Sequence, residues 1–114
     1  MNIKNDKRPW GYFRKFTENE SSTIKLINVT AGQSLSLQYH LKRSEFWVIL
    51  AGNPIVTVGE KNTHAKVGDE FLILQKEVHR LAARDLDVQI LEIAFGEFQE
   101  DDIIRIADSY GRKS

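Results

Sequence analysis

Residues 34–41, SLSLQYHL, alternate strictly between polar and apolar side chains. On an extended strand Ser34, Ser36, Gln38 and His40 leave one face and Leu35, Leu37, Tyr39 and Leu41 the other, because successive side chains point to opposite sides. Two architectures accommodate such a strand. In an ordinary sandwich the apolar face meets the core and the polar face meets water. In a small barrel with a wet, ligand-binding interior the polar face turns inward, and the apolar face needs cover from another strand layer or another subunit. The second architecture makes Gln38 and His40 interior donors and predicts a dimer.

The rest of the chain is built from similar short pieces. Period-two alternation or β-branched and aromatic enrichment marks strands near Trp10–Phe16, Thr23–Val29, Ser34–His40, Glu45–Leu50, Ile55–Val58, Glu70–Leu74, Val78–Ala83 and Val88–Phe95. Ala31-Gly32, Ala51-Gly52-Asn53-Pro54, Gly59 and Gly68-Asp69 supply turn chemistry between them. No helical period emerges before residue 98, and the tail EDDIIRIADSYGR reads as a short helical turn with Ile103, Ile104 and Ile106 packed down. The expectation is an all-β sandwich or barrel of a single domain spanning residues 1–114, since 114 residues allow one core.

Charge and composition exclude several partners. Sixteen Lys and Arg balance sixteen Asp and Glu, so no basic field exists to draw in nucleic acid or an anionic membrane, and self-association is little opposed. The absence of cysteine removes disulfides, thiolate catalysis and cysteine metal sites together. The opening MNIKNDKRPW lacks the apolar stretch of a secretory signal, and no run approaches the roughly 20 apolar residues of a membrane span. A cytoplasmic address is expected.

Gln38 and His40 leave one strand face with Cα atoms about 7 Å apart, so their side chains can converge on one cation. Glu45 opens the next strand after a tight connection, and His79, in VHRLAAR, must arrive from a distant strand. That places three ligands on one hairpin and one across a barrel. Two imidazoles, a carboxylate and an amide oxygen suit a divalent cation. Taken singly, such residues are ordinarily surface or structural ones, as His64 in the charged loop EKNTHAK is read to be. Arg43 and Arg80 adjoin ligand positions and Lys42 lies close by, offering cations for a phosphate. Trp10 and Trp47 are read as packing residues rather than sugar-stacking platforms.

The segments RPWGYF, AGQSLSLQYH, RSEFWVILAG, GDEFLILQKEVHRL and GEFQEDDIIRIADSYGR together resemble the cupin domain of type II mannose-6-phosphate isomerases, often fused to a mannose-1-phosphate guanylyltransferase. The resemblance covers nearly the whole chain, and RPWG and EDDIIRIADSYGR are specific to that family rather than to cupins at large. It implies a cupin double-stranded β-helix, or jelly-roll barrel, with a divalent cation inside. Gln38, His40, Glu45 and His79 stand at the family's ligand positions. Zinc is the first choice, with manganese, iron, cobalt or nickel as alternatives. The implied activity interconverts mannose 6-phosphate and fructose 6-phosphate, feeding GDP-mannose and polysaccharide synthesis. Arg43 matches the family's arginine between the histidine and glutamate ligands and is carried over as a substrate or transition-state contact, with Lys42 and Arg80 as further substrate-binding candidates.

The chain also departs from the family pattern. Leu41 and Lys42 replace a run of histidines, Phe46 replaces another histidine, and Leu74 and Lys76 replace the Pro and Gly of the turn before His79. An ammonium 4 Å from a unit positive charge costs about 4 kcal/mol at an effective dielectric near 20. Lys42 must therefore point away or be neutral, or the site must be empty. The proton-transferring base stays open among Glu77, the Asp101-Asp102 pair and a cation-bound hydroxide. Asp101 and Asp102 also read as a charge or cap for the tail. Two rivals to the isomerase follow: a cupin that binds a sugar or sugar phosphate without turnover, and a structural or regulatory dimer in a polysaccharide pathway.

Overall fold

A computed structural model describes residues 3–111. Among these residues there are eleven strands and no helix. They are β1 (Lys4–Arg8), β2 (Gly11–Lys15), β3 (Ser22–Val29), β4 (Leu37–Tyr39), β5 (Arg43–Ala51), β6 (Ile55–Val58), β7 (Lys61–His64), β8 (Glu70–Ile73), β9 (His79–Ala82), β10 (Val88–Gly96) and β11 (Ile104–Ala107). Two antiparallel sheets face each other, one ordered β3-β10-β5-β8 and the other β11-β4-β9-β6-β7, while β1 and β2 form a separate hairpin. This is the jelly-roll barrel that the family resemblance implied, within the all-β sandwich or barrel expected from the strand pattern. No helix among the described residues is long and apolar enough to cross a membrane.

One half of the barrel interior is dry. Trp47, Ile49, Val56, Ile73, Leu81, Val88 and Ile90 are each at most 2% exposed and pack into one cluster, with Leu35 and Phe71 against its margin. Burial of such side chains contributes about 1.5–3 kcal/mol apiece. Gly52, at φ +89°, closes the β5–β6 turn where a Cβ would stand 2.5 Å from the Asp87 carbonyl oxygen, so only glycine fits. Ser36 and His40 are buried on the interior side, while Leu41 faces solvent. The polar face of residues 34–41 therefore turns inward, although Leu35 also packs against the core, just after the isolated bridge that Ser34 makes with Ala82.

Two expectations need correction. The tail forms no helical turn; it forms β11, which pairs with β4 (Ile104 opposite Tyr39, Arg105 opposite Gln38). Five residues of IIRIA are too few for a helical period to hold against a partner strand, and β4 offers an edge whose backbone groups need pairing. Nor do β4 and β5 make a hairpin. They belong to opposite sheets, so the chain crosses the barrel between His40 and Arg43.

Candidate metal centre

That crossing arranges the candidate ligands differently from the sequence expectation. His79 is the near neighbour, since Gln38 and His79 are directly opposed across β4 and β9, whereas Glu45 reaches in from the facing sheet on β5. The structure brings His40, Glu45 and His79 together as three buried side chains whose donor atoms all lie within 4.8 Å of one another. His40 Nε2 is 3.3 Å from Glu45 Oε2, and His79 Nε2 is 3.7 Å from Glu45 Oε1. Tetrahedral bonds of about 2.1 Å place donors roughly 3.4 Å apart, so these separations suit one shared cation.

Both imidazoles are fixed from behind. His40 Nδ1 donates to the Asp102 carbonyl oxygen at 2.6 Å, and His79 Nδ1 donates to the Glu77 carbonyl oxygen at 2.9 Å. In the neutral rings this leaves the Nε2 lone pairs aimed inward, the arrangement by which outer partners orient metal-binding histidines. Burial pushes both rings below the ordinary histidine range, which keeps them neutral. His79 Nε2 is buried and has no hydrogen-bond partner in the protein. A lone pair left this way costs about 1–3 kcal/mol, and a cation would satisfy it. Gln38 accepts from Ser36 Oγ at its Oε1 (2.5 Å) and places Nε2 3.5 Å from His40 Nε2. A half-turn of the amide would present the oxygen to a cation and let the nitrogen donate to Ser36.

Glu45 is the electrostatic hub. Burial alone would raise its carboxyl, but a hydrogen bond with Glu92, the two imidazoles and the Arg43 guanidinium outweigh it and hold the group below its usual range. Glu92 takes the opposite course. Burial and then the Glu45 charge push it up to about 8, so it holds the proton the two carboxyls share. Trp47 Nε1 donates to both, at 3.1 Å to Glu45 and 3.3 Å to Glu92. Glu92 was missed in the sequence reading. Its signal is a carboxylate in the inward row Val88, Ile90, Glu92, Ala94.

Arg43 is buried against the centre. Nε donates to Glu45 Oε2 at 3.0 Å, Nη1 to the Gln99 carbonyl oxygen at 3.0 Å, Nη2 lies 3.4 Å from His40 Nε2, and the guanidinium stacks 4.4 Å from the Phe98 ring centroid. Lys42 points away, exposed and 3.8 Å from Glu97. Arg80 points to the outer side of β9, where Nη2 donates to the Ala107 carbonyl oxygen at 3.3 Å. A cavity of about 180 Å3 opens beside the ligands, lined among others by Lys25, Gln38, Arg43, Trp47, Glu92 and Arg105, and by neither Lys42 nor Arg80.

The departures from the family pattern now have structural readings. Phe46 faces outward against Phe16, with ring centroids 5.7 Å apart, and never approaches the centre. Lys76 adopts φ +66°, the left-handed conformation that favours glycine, and its N–H donates to the His40 carbonyl oxygen at 2.7 Å. In the turn before His79 a lysine therefore stands, under mild strain, in a backbone conformation that glycine adopts freely. Asp102 caps no helix; its carboxylate accepts the N–H groups of Leu41 (2.9 Å) and Lys42 (3.0 Å) and so holds the β4–β5 crossing. Glu77 accepts the Leu74 N–H at 3.0 Å.

An all-β barrel with two histidines and a carboxylate converging inside one end defines the class as a cupin. Solved structures agree on the fold. KdgF from Halomonas sp. superposes with a TM-score of 0.67 at 12% identity over 74% of this chain and 76% of that one. A cupin-2 domain from Rhodospirillum rubrum gives 0.64 at 18% identity over 89% and 77%. The chain belongs to the mannose-6-phosphate isomerase C-terminal family, whose model matches residues 2–108. Relatives include the xanthan biosynthesis protein XanB of Xanthomonas campestris pv. campestris (35% identical over 92% of this chain and 23% of that protein). The alginate biosynthesis protein AlgA of Pseudomonas aeruginosa (36%, over 92% and 22%) and a mannose-1-phosphate guanylyltransferase of Escherichia coli K12 (32%, over 92% and 22%) are similar. The chain thus spans less than a quarter of the length of these relatives.

Proposed function

We propose that this chain is a metal-dependent aldose-ketose isomerase that interconverts mannose 6-phosphate and fructose 6-phosphate at the centre formed by Gln38, His40, Glu45 and His79. The observation that carries the reading is the partnerless, buried Nε2 of His79, set with His40 and Glu45 beside a cavity whose wall holds a protonated carboxyl. Isomerisation moves a proton between adjacent carbons and another between their oxygens, through an enediolate whose negative charge needs compensation. A divalent cation, with zinc the first choice for this donor set, supplies that compensation as a Lewis acid.

The chain's own residues do the rest. Trp47 and Arg43 fix both Glu45 oxygens, so the carboxylate cannot rotate away from the imidazoles. Glu92 holds its proton at the cavity wall, where a carboxyl can exchange protons with substrate oxygens. Glu77 and Asp102 have their carboxylates occupied by backbone N–H groups, which leaves Glu92 the better placed acid-base group. Lys25 and Arg105, on the cavity lining, are the cations suited to the substrate phosphate in place of Lys42 and Arg80.

A second reading, a cupin that binds a hexose phosphate without turnover, draws on Arg43, whose guanidinium lies 3.4 Å from His40 Nε2 and competes there with a cation. Metal content of the purified protein, with fructose 6-phosphate conversion assayed with and without added zinc or manganese, separates the two. Chelator-sensitive turnover supports the isomerase. A folded protein that binds hexose phosphate but turns over none under any metal supports the second reading.

A further inference from the structure

Lys25 is an unusual side chain for an inward position. The register sets it directly opposite Glu92 on β10, which is itself opposite Trp47 on β5, so the three form one row across the inner face of the sheet and all line the cavity. Glu92 holds its proton, so the neighbouring strand offers Lys25 no full negative charge. The anion comes from elsewhere in the chain: Lys25 Nζ donates to Glu100 Oε1 at 2.9 Å.

Glu100 belongs to segment 97–103, which joins β10 to β11 along the cavity wall. The segment is fastened on either side of Glu100. The Gln99 carbonyl oxygen accepts Arg43 Nη1 at 3.0 Å, and the Asp102 carboxylate accepts the N–H groups of Leu41 and Lys42. The Phe98 ring meets both cavity cations, with Lys25 Nζ 4.5 Å and the Arg43 guanidinium 4.4 Å from its centroid. The Glu100 side chain is different, since it is 77% exposed and reaches the cavity only through its carboxylate. An ion pair this open to solvent is weak, so it can part while the backbone on both sides stays in place.

We propose that Glu100 is a specificity-determining residue: its carboxylate occupies the seat of the substrate phosphate on Lys25, and only a ligand carrying a stronger anion at that point displaces it. The assignment rests on the hexose-phosphate reading of the site and holds with or without turnover. A phosphate monoester brings roughly −1.5 to −2 charges and three acceptor oxygens near neutral pH, against a single charge on the carboxylate, so it wins the contest for one ammonium. An unphosphorylated sugar brings nothing to that contest and leaves the pair closed. The span also suits such a ligand. With β10 between them, β3 and β5 lie about 10 Å apart at the ordinary strand spacing, room for a six-carbon sugar whose carbonyl end meets Glu45 and the histidines while its phosphate meets Lys25.

Titrations of the full chain at fixed salt, followed by nuclear magnetic resonance, test this with fructose 6-phosphate, fructose and inorganic phosphate as probes. Glu100→Gln is expected to tighten both phosphate-bearing probes on the order of fivefold, the scale of the exposed ion pair that no longer has to be broken, and to leave fructose unchanged. Asp101→Asn removes the same charge from the next residue and should change phosphate affinity by about twofold at most, because an exposed charge out of contact is screened. Lys25→Met should weaken both phosphate-bearing probes on the order of tenfold or more and cancel the gain of Glu100→Gln in the double variant, with Lys25→Gln standing in should Lys25→Met fail to fold. No gain in Glu100→Gln, an equal gain in Asp101→Asn, or a gain that survives the loss of Lys25 overturns the assignment. A gain for inorganic phosphate without any binding of fructose 6-phosphate upholds the seat and refutes the hexose-phosphate reading instead.

Discussion

The two ends of the barrel interior are built from the same strands and differ in almost every physical respect. At one end β5, β6, β9 and β10 contribute Ile49, Val56, Leu81 and Ile90, all fully buried in one hydrophobic cluster. A few residues along the same β5, β9 and β10, Glu45, His79 and Glu92 are just as buried but polar. Every apolar contact at the first end favours folding. At the second end the desolvated carboxyls and imidazoles are held by Arg43, Trp47 and two backbone carbonyls, and one nitrogen is left over. One end supplies the stability that lets the other be chemically poised.

Substitutions at the two ends should therefore act on different observables. The largest effect is expected for His79→Ala, which removes the partnerless donor. Bound metal should be lost and isomerase turnover should fall at least about a thousandfold, some 4 kcal/mol of transition-state stabilisation. Metal-free stability should also fall, by about 1–3 kcal/mol, since the Nδ1 bond to Glu77 and the ring's packing on Trp47 are lost. Metal analysis and kinetics check this, and a folded variant that keeps both its metal and its turnover would remove His79 from the centre.

Leu81→Ala at the dry end should do the reverse. Loss of a fully buried leucine costs about 2–5 kcal/mol in urea unfolding while the folded fraction keeps its metal stoichiometry. Metal lost in proportion to the substitution, with the protein still folded, would show that the two ends are not separable.

The subtlest difference is in pH. In the metal-free protein Glu92, raised to about 8 from 4.5, adds stability that is full below pH 4.5 and is lost as pH rises through about 8. The lowered histidines add stability present above 6.5 and lost as pH falls below it. Thermal unfolding of metal-free wild type should thus shift to lower temperature between pH 6.5 and about 8. Glu92→Gln should flatten that slope. An equally steep decline in the variant would remove Glu92 as its source.

Much of this was visible in the residues before any coordinates. Alternation located most strands, and the polar row from Ser36 to His40 left a wet interior as one of two architectures. What the sequence could not convey was partnership between strands. Residues 104–107 are too short to declare helix or strand, and only the open edge of β4 decides. The β4–β5 connection looks like a hairpin until Asp102, some 60 residues later, is seen holding its N–H groups. Glu92 escaped notice because an isolated carboxylate in an alternating strand reads as a solvent-facing residue unless the face is known. Lys42 posed a threat to the centre on paper alone, since its side chain turns outward to Glu97.

The double hold of Asp102 on the crossing and on His40 has a practical corollary. Trimming the chain after Gly96 would leave β3-β10-β5-β8 and β4-β9-β6-β7 paired but strip β11 from β4, reopening that edge. It would also unfasten one imidazole and the loop that aims it, so the grip on an ion would go before the dry end is touched.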